Sequence, residues 1–429
     1  MHAPFNPAFR VEWRALTALD SIVDEWRALA ARAIEPNVFY EPTFALAAAP
    51  VFGENAGATL VWSTTGRLMG FFPARIERWR GGLCSATTGW THPYAPLGVP
   101  LVDRDQAEVV LGAWLDHLAG DPARPALLLM PLVTEGGPFA AALDAALAGG
   151  KRQSAPFSRY QRALLAPGTE RDGYLERAMP TRKRNKLRKQ RDRLEDIAPV
   201  TFGTTAGVKD IGAALKDFLL IEASGWKALA GTATVLEPAI RKFVEAAVKG
   251  LAATGQARVD RLFLNGRAIA AFVTLSSGST AWCWKIAYNE GVSRASPGAQ
   301  LALDFTEAVL AESNIARVDS CADADHPMID GIWRERLALC DRLVALRPSV
   351  WPFGLVCRLE ALRRGAIVAL KALRDRLRDR KSTARPEQAP DDLTGGRHRH
   401  LVNEGDLARI LMRGQPGAHE RLDVGGKRV

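Results

Sequence analysis

The sequence predicts an α/β protein with mixed, partly antiparallel sheets and more than one domain. Its 429 residues exceed the roughly 100 to 200 residues of an ordinary single domain. Helix and strand patterns alternate from residue 11 to about residue 165, and a second round starts near Tyr174. In that round Asn265-Gly266 joins two apolar runs, which indicates an antiparallel hairpin because a type I′ turn needs positive φ at both central residues.

The remaining elements follow from apolar periodicity. A period near 3.6 residues predicts a helix, and a short apolar run predicts a strand. In the first round we predict helices over 19–33 and 106–119 and strands over 58–62, 68–76 and 126–130. In the second round we predict helices over 182–195, 211–222 and 238–254 and a strand over 200–202.

The helix that follows the hairpin gives the most informative local signal. The predicted order is strands over 257–264, 268–275 and 280–286, a helix over 297–313 and a strand over 317–321. Ser296 suits the N-cap, Pro297 suits the first helical position, and Gly298 lets another group approach the backbone. The N–H groups of such a terminus favour an anion. A plain capped helix that binds nothing is the alternative.

Composition excludes several classes of protein. With 47% hydrophobic and 24% charged residues, the chain is a folded globular protein rather than a disordered one. No stretch reaches the ~20 apolar residues of a membrane span, and the start of the chain lacks the pattern of a signal peptide. We therefore expect a cytoplasmic location. The five cysteines form no CxxC pair, so we expect neither disulfides nor a metal site.

The net charge of +10 is concentrated in two places. Residues 182–193 hold eight Arg/Lys and one Asp, and residues 358–380 hold eight Arg/Lys and three acids. The rest of the chain sums to about −2. This distribution argues against binding of nucleic acid over the whole surface and indicates two local basic surfaces.

The last part of the chain changes character after Pro348. Residues 349–380 predict a basic amphipathic helix with apolar residues at helical spacing: Leu355, Leu359, Leu362, Ala366, Leu370, Leu373 and Leu377. We favour a stripe that packs across the two domains; peripheral contact with an anionic membrane through residues 355–377 is the alternative. Residues 381–429 are rich in Pro, Gly and charge, which is typical of a mostly disordered tail.

Several motifs, taken in order, resemble a known family. They are TRKRNKLRKQRDRL at 181–194, EASGWKALAGT at 222–232, the hairpin, SPGAQL at 296–301 and VDSCADADH at 318–326. The chain resembles the GNAT-fold acyltransferases grouped with the cellulose-biosynthesis-associated acetyltransferases, which are similar to Fem-type transferases. The resemblance covers residues 159–333 well and rests in the first domain on residues 37–39 and 92–101.

This resemblance implies two tandem GNAT-like domains, over residues 1–165 and 166–348, and an acyl-CoA such as acetyl-CoA as co-substrate. The implied acceptor is an amine or hydroxyl on a small molecule or on a precursor of exopolysaccharide, cellulose or the cell envelope. The phosphate-binding loop would consist of Arg294, Ser296, Pro297, Gly298, Ala299 and Gln300. In this chain Pro297 stands where the first glycine of the family's loop belongs.

Four residues are candidates for the chemistry. Direct acyl transfer needs a base for the attacking group, a donor for the developing oxyanion and an acid for the leaving thiolate. Asp319 and His326, in a cluster at the end of a strand, suit the first and third roles. Lys285 lies in an apolar strand, where burial without an anion is costly, and Glu222 ends a helix before a Gly-flanked loop. Ordinary loop capping by the aspartates is the alternative; too few oxygen ligands are present for a hard cation.

A second set of residues is predicted to bind substrate. Arg184, Asn185 and Arg188 would face a pyrophosphate or a phosphorylated acceptor, unless the basic helix is only a solvated face. Trp226 and Lys227 lie in the Gly-flanked loop, and Trp226 is equally suited to a core. Strand alternation places Tyr288 on one face with Trp282 and Trp284, and Lys285 on the other with Cys283.

Two further functions stay open from the sequence alone. One is Fem-type transfer of an aminoacyl group from tRNA, with the basic helix on nucleic acid, although the sequence shows no heptad run for the coiled-coil arm that such enzymes often carry. The other is a non-catalytic accessory protein of polysaccharide synthesis, held at a membrane by the leucine-rich helix.

Overall fold

The computed structural model describes residues 9–79, 84–224, 237–349 and 352–383. The α-helices of these parts are α1 (Val23–Ala31), α2 (Pro42–Phe52), α3 (Ala107–Gly120), α4 (Pro138–Gly149), α5 (Tyr174–Ala178), α6 (Thr181–Glu195), α7 (Ile211–Ser224), α8 (Pro238–Ala253), α9 (Pro297–Ala311) and α10 (Phe353–Thr383). The strands are β1 (Phe9–Ala15), β2 (Ala56–Ser63), β3 (Leu68–Trp79), β4 (Cys84–Gly89), β5 (Leu101–Val102), β6 (Leu127–Thr134), β7 (Ser154–Leu165), β8 (Val200–Thr205), β9 (Ala257–Leu264), β10 (Arg267–Ser277), β11 (Thr280–Tyr288), β12 (Arg317–Asp319) and β13 (Glu335–Ala345).

All thirteen strands belong to one sheet. Its order is β1-β2-β3-β4-β6-β13-β7-β12-β11-β10-β9-β8, and β5 pairs with β3. Neighbours are antiparallel except in the pairs β4–β6 and β11–β12, which are parallel. The predicted mixed α/β class is confirmed, with a single continuous sheet in place of one sheet for each domain.

The two halves of the chain, residues 9–165 and 166–348, repeat one order of elements. In the first half, antiparallel β2, β3 and β4 are followed by α3 and by β6, which runs parallel to β4. In the second half, β9, β10 and β11 are followed by α9 and by β12, parallel to β11. Each half then supplies its last strand to the other, because β13 pairs with β6 and β7 pairs with β12. The exchanged strands also pair with each other, so backbone hydrogen bonds join the halves.

The hairpin predicted from Asn265-Gly266 is confirmed. Both residues have positive φ, 49° and 72°, and Arg267 pairs with Leu264 directly across the turn. Asparagine tolerates this left-handed conformation and glycine has no Cβ to oppose it. The turn therefore fixes the register with which β9 and β10 enter the sheet.

Helices cover both faces of the second half. Apolar residues of α7 and α8 join β10 and β11 in the larger core, while α6 and α9 enclose a second core on the other face of the same strands. The first half contributes α2, whose Phe44 meets Phe243 of α8 edge-to-face with centroids 5.4 Å apart. The larger core thus extends across both halves.

The leucine stripe of α10 does not face a core, so the favoured interpretation of that stripe is wrong. The packed face of α10 is another one: Phe353, Val356 and Cys357 contact a small cluster around Leu343. Glu360 on the same face is buried. The leucines at 355, 359, 362 and 370 are 38%, 48%, 71% and 64% exposed. In the described parts of the chain, no helix is long and apolar enough to cross a membrane. The tail predicted to be disordered lies, past Thr383, outside the described residues.

Candidate functional site

A cavity opens where two parallel strands separate. β11 and β12 pair over three positions and end at Trp282 opposite Asp319. β11 then continues to Tyr288, whereas the chain leaves β12 at Ser320. The cavity beyond this point measures about 520 Å³. It is lined by residues of β11, by Ile221 and Glu222 of α7, by Phe272 and Glu290, and by Ser320, Cys321, Ala322, Asp323, His326, Pro327, Met328 and Ile329.

A β-bulge decides which side chains of β11 face each side of the sheet. The ladder pairs Thr274 with Cys283 and Val273 with Lys285, so Trp284 is the extra residue. A bulge reverses the alternation beyond it. The prediction that Lys285 lies opposite Trp284 is therefore wrong. Both contact Tyr94: the indole of Trp284 donates to its carbonyl oxygen at 2.8 Å, and Lys285 Nζ lies 4.3 Å from its ring centroid.

The same bulge turns Tyr288 towards α9, away from Trp282 and Trp284. A Cβ placed on Gly298 would lie 3.5 Å from Cδ1 of Tyr288, 3.4 Å from Ile286 and 3.2 Å from the sulfur of Met328. The start of α9 thus packs against the cavity wall. A Cβ at position 298 would require a small shift of Met328 and would make ordinary contacts with Ile286 and Tyr288.

Glu222 and Lys285 form an ion pair at the cavity. The carboxylate belongs to α7 and is buried, and its Oε1 lies 3.7 Å from Lys285 Nζ. A buried charge is tolerated when it is paired. The sequence predicted an anion for Lys285, and a carboxylate of the same chain occupies that role. Two candidates for catalysis, from elements 63 residues apart in sequence, are therefore neighbours.

His326, in the segment between β12 and β13, also lines the cavity. Its Nδ1 is buried and, within the described parts of the chain, has no hydrogen-bond partner. Asp323 of the same segment also lines the cavity, and Asp325 has a positive φ of 57°. The structure thus places an imidazole at the cavity whose Nδ1 is not satisfied by the described parts of the chain.

Asp319 stands at the root of the cavity but does not line it. Its Oδ2 accepts from Arg162 at 2.6 Å, and its Oδ1 accepts from the backbone N–H of Cys321 at 3.0 Å. Both partners of the ion pair are buried, at 2% and 1% exposure. Burial alone would lower the pKa of Arg162, but Asp319 beside it raises that pKa above its ordinary value. The pair ties β12 to β7.

Sequence reasoning missed Arg162. Its other contact, a bond of 3.0 Å to the carbonyl oxygen of Pro96, is also remote in sequence. The available signal was an arginine directly before the apolar run Ala163–Leu165, because a buried arginine requires an acidic partner. Nothing local indicates that the partner is Asp319.

The start of α9 has the features of an anion site, with one change from the prediction. Ser296 occupies the N-cap with φ of 53°, but its side chain makes no capping bond to the helix backbone. Its carbonyl oxygen accepts from the N–H groups of Ala299 and Gln300. Pro297 has no N–H to offer. The first turn contains no acidic residue, so the positive end of the helix dipole is not neutralised there.

Helix α6 is bound to this helix start. Gln190 donates to the carbonyl oxygen of Arg294 at 2.7 Å and to Ser296 Oγ at 3.2 Å. Gln300, predicted to bind the cofactor, is buried and donates to the carbonyl oxygen of Leu187 at 2.8 Å. These bonds hold α6 beside the loop that precedes α9.

The surface of α6 next to that loop is a basic groove. We define it by its lining residues, Arg182, Asn185, Lys186, Lys189, Gln190 and Arg193. Of the three predicted substrate ligands on α6, Asn185 lines the groove. Arg184 pairs with Glu176 at 3.4 Å and Arg188 donates to Asn185 at 3.1 Å. No salt bridge in the described residues involves the four cations of the groove, which leaves a local positive field. The predicted ligands Trp226 and Lys227 lie outside the described residues.

Comparison with known families identifies this part of the chain. Residues 181–326 match the family model described as an acetyltransferase (GNAT) domain. The second half of the chain is therefore similar, over these residues, to a GNAT acetyltransferase domain. The matched region runs from α6 to His326 and so includes the basic groove, the start of α9 and both walls of the cavity. The prediction of an acyltransferase is confirmed at this level.

Solved structures extend the likeness to most of the chain. FemX is 10% identical, covers 78% of this chain and 97% of its own, and gives a TM-score of 0.50. The C-terminal domain (DUF2156) of a putative lysylphosphatidylglycerol synthetase from Agrobacterium fabrum is 10% identical, with coverage of 76% and 92% and a TM-score of 0.48. A tandem GNAT protein from the clavulanic acid biosynthesis pathway is 15% identical, with coverage of 80% and 99% and a TM-score of 0.38. At such identities the likeness concerns the fold alone. No curated protein matches the sequence significantly.

Proposed function

We propose that the protein transfers an acyl group from an acyl-CoA, with acetyl-CoA as the simplest donor, to an amine or hydroxyl in the cavity between β11 and β12. The observation that carries this proposal is the opening of the cavity directly beside the start of α9. An acyl-CoA has phosphates at one end and an extended, amide-containing arm that ends in the thioester. The helix start suits the phosphates, and the strand edge beyond Trp282 suits the arm.

The basic groove of α6 completes the donor site in this proposal. Pro297 removes one N–H from the first turn of α9, so the backbone offers fewer donors to a pyrophosphate. Lys186 and Lys189 lie on a helix that Gln190 fastens to the same loop. Their ammonium groups supply charge where the backbone supplies less. The N–H of Ala299 already donates to the carbonyl oxygen of Ser296, so the N–H of Gly298 is the proposed contact of the backbone with phosphate.

Each cavity residue has its own role in the proposed reaction. The amine or hydroxyl of the acceptor attacks the thioester carbon while His326 Nδ1 takes its proton, and the bond to the new acyl group forms as the carbon–sulfur bond breaks. Lys285 stabilises the negative charge that develops on the carbonyl oxygen and then on the departing thiolate. Glu222 holds Lys285 in position, and the Arg162–Asp319 pair fixes the strands that form the cavity.

The acceptor is proposed from the resemblance of the sequence motifs. It is a small molecule or a precursor of exopolysaccharide, cellulose or the cell envelope, and the protein would belong with the cellulose-biosynthesis-associated acetyltransferases. We place the reaction in the cytoplasm, a reducing compartment in which the scattered thiols of this chain remain free. Residues 1–165 and 166–348 are the proposed units of the tandem architecture.

Thermal unfolding with CoA, acetyl-CoA and longer acyl-CoAs tests the donor site. A ligand at 100 times its Kd stabilises the folded state by about 2.7 kcal/mol, which raises Tm. The double variant Lys186→Glu/Lys189→Glu should lose most of this shift. Its matched control is Lys209→Glu/Lys216→Glu, which makes the same charge change on exposed residues before and within α7 and should keep it. Absence of a shift with every CoA species, or equal loss in both variants, contradicts the proposal.

The basic groove also favours a second candidate, Fem-type transfer of an aminoacyl group from tRNA. Four cations on one helix face are able to contact successive phosphates. In that case tRNA should shift the protein in a gel with strong dependence on salt, Lys186→Glu/Lys189→Glu should abolish the shift, and CoA should have no effect on Tm.

A further inference from the structure

The exposed face of α10 is an apolar stripe. Ten large hydrophobic side chains are exposed in the described parts of the chain, and four of them are leucines of this one helix. Single exposed hydrophobic residues are normal on a protein surface, but a continuous row indicates an interaction site. We call Leu355, Leu359, Leu362 and Leu370 the leucine stripe.

Another side of α10 is fixed to the body of the protein. Val356 is buried in the cluster that contains Leu343, and Glu360 is buried beside Arg363, which donates to it at 2.6 and 2.7 Å. Arg364 binds Asp341 of β13 at 2.8 Å. At 100° per residue, the packed residues and the leucine stripe lie about 110° apart around the helix axis. The helix is therefore held with its stripe facing away from the sheet.

The apolar row continues along the helix beyond Leu370. The backbone remains helical to Thr383, and the sequence continues the stripe with Ala366, Leu373 and Leu377. Positions 355, 366 and 377 are eleven residues apart, a repeat that drifts by only about 20° on a straight helix. The stripe thus runs almost straight along the helix.

Positive charge accompanies the stripe. Residues 358–380 contain eight Arg/Lys and three acids, and one of those acids, Glu360, is already bound to Arg363 and Arg364. Arg358 is exposed, and no salt bridge in the described part of the helix involves it. An apolar stripe on a basic helix is the combination that binds at the surface of anionic lipid, where each cation adds about 1 kcal/mol.

We propose that α10 docks on the surface of an anionic lipid bilayer. The leucine stripe enters the boundary between headgroups and acyl chains, and the exposed Arg358 contacts the headgroups. The packed face, with Val356 and Glu360, stays on the protein, so the helix lies along the membrane without crossing it. The rest of the molecule is carried on that surface. This docking does not depend on the reaction proposed for the cavity.

Co-sedimentation of the full chain with vesicles tests the docking. The protein should bind vesicles of phosphatidylcholine that contain phosphatidylglycerol at least tenfold better than vesicles of phosphatidylcholine alone, and salt should weaken the binding. Leu355→Gln/Leu359→Gln/Leu362→Gln should reduce binding at least tenfold with an unchanged Tm, because these side chains are exposed. The matched control Ile76→Gln/Val109→Gln/Val208→Gln changes three exposed apolar residues elsewhere and should bind as the natural sequence does.

Four results overturn the proposal. One is equal binding by the leucine variant, and another is the lack of preference for phosphatidylglycerol. A third is a dimer, measured by sedimentation equilibrium, that the leucine variant loses while no form binds vesicles; the stripe then joins two copies of the chain. The fourth is binding by a chain ending at Thr383 when the full chain does not bind, which shows that residues 384–429 cover the stripe.

Discussion

The two halves of the molecule differ at the point where their two parallel strands separate. In the first half β4 and β6 run parallel up to Thr88 opposite Leu129, and in the second half β11 and β12 do so up to Trp282 opposite Asp319. Beyond that point, the space between β4 and β6 in the first half is occupied by other residues of the chain. Residues 90–101, the filling segment, enter beside β6, where the N–H of Gly98 donates to Leu132 at 2.9 Å.

The filling segment closes the first half tightly. Trp90 is fully buried, and a Cβ on Gly98 would overlap the carbonyl oxygen of Pro131. The second half has a cavity at this position, bordered by Cys283 and Ala322. The order of strands and helices therefore does not create a site; a site exists only where the space between the separating strands stays open.

The first turns of α3 and α9 also differ between the halves, in their charge. α3 has Glu108 in its first turn, which satisfies the positive end of the helix within the protein. α9 has no acidic residue there and lies beside the basic groove of α6. An anionic ligand is consequently favoured at the second helix start and opposed at the first. The open cavity and the helix start without an acidic residue both lie in the second half, which indicates that the second half is the functional one.

The largest effect should come from the ion pair at the root of the cavity. Arg162→Met leaves Asp319 buried and unpaired, which should lower the free energy of unfolding by about 3–5 kcal/mol in urea titrations. Asp319 corresponds to Leu129 in the first half, so Arg162→Met/Asp319→Leu should recover most of the loss. The control Arg10→Met breaks an exposed pair with Glu12 and should change stability by less than about 1 kcal/mol. Equal effects of the two single variants would contradict the assigned role.

Filling the cavity of the second half with a large side chain should strongly reduce acyl transfer. Ala322→Trp places an indole in the cavity, as Trp90 fills the first half, and should reduce acyl transfer from acetyl-CoA about 100-fold, or about 2.7 kcal/mol in the barrier. Release of free thiol measures the reaction, and Tm reports the fold. Val208→Trp, at an exposed position, is the control. Undiminished transfer by Ala322→Trp would place the reaction elsewhere.

An acidic residue in the first turn of α9, like Glu108 in α3, should weaken the binding of acetyl-CoA. Ala299→Glu adds a negative charge to the first turn of α9 and should raise KM for acetyl-CoA about tenfold, or about 1.4 kcal/mol, with little change in kcat. The helix dipole itself favours the new carboxylate, so stability should stay equal or rise slightly. Ala299→Gln provides the neutral control. A KM that is the same in both variants would separate α9 from phosphate binding.

The smallest effect concerns His92 in the filling segment. Burial lowers the pKa of His92 to about 3, from 6.5, and its ring stacks on Phe52 at 4.3 Å. The folded state resists protonation that the unfolded chain accepts, so this residue's contribution to stability is lost as pH falls from 6.5 towards 3. Between pH 7 and 5.5 the loss should be about 1 kcal/mol.

A comparison with His92→Phe isolates that effect. Burial raises the pKa of Glu35 and Glu41, and such groups act in the opposite direction, since their protonation in the folded state gains as pH falls. They are present in both proteins, so the difference between the two unfolding curves belongs to His92. Parallel curves from pH 7 to 5.5 would show that the imidazole is not protected.

Local signals in the sequence predicted the elements that local chemistry determines. Asn265-Gly266 fixes its turn through backbone preference, and Pro297 marks the first residue of α9 because its φ suits that position. The cavity residues Glu222, Lys285 and His326 were identified from their residue types and positions at the ends of elements. The structure brings them to one cavity, and their catalytic roles stay predictions.

Features that depend on distant pairing were not predictable from the sequence. The bulge at Trp284 results from the ladder with β10 and reverses the side of Lys285. Arg162 and Asp319 are 157 residues apart and meet only because β7 crosses into the second half. The leucine stripe of α10 has the period of a packed face, and periodicity alone does not distinguish a core from any other apolar surroundings.

The exchange of β7 and β13 has a consequence for biosynthesis. β6 belongs to the first half, yet its neighbour β13 begins at Glu335, so most of the chain has left the ribosome before the first sheet obtains its last strand. Until then the edge of β6 is available for pairing with other chains. Folding that depends on such remote contacts is slow. A fragment ending near residue 165 should therefore aggregate, whereas a chain that includes β13 covers the edge of β6.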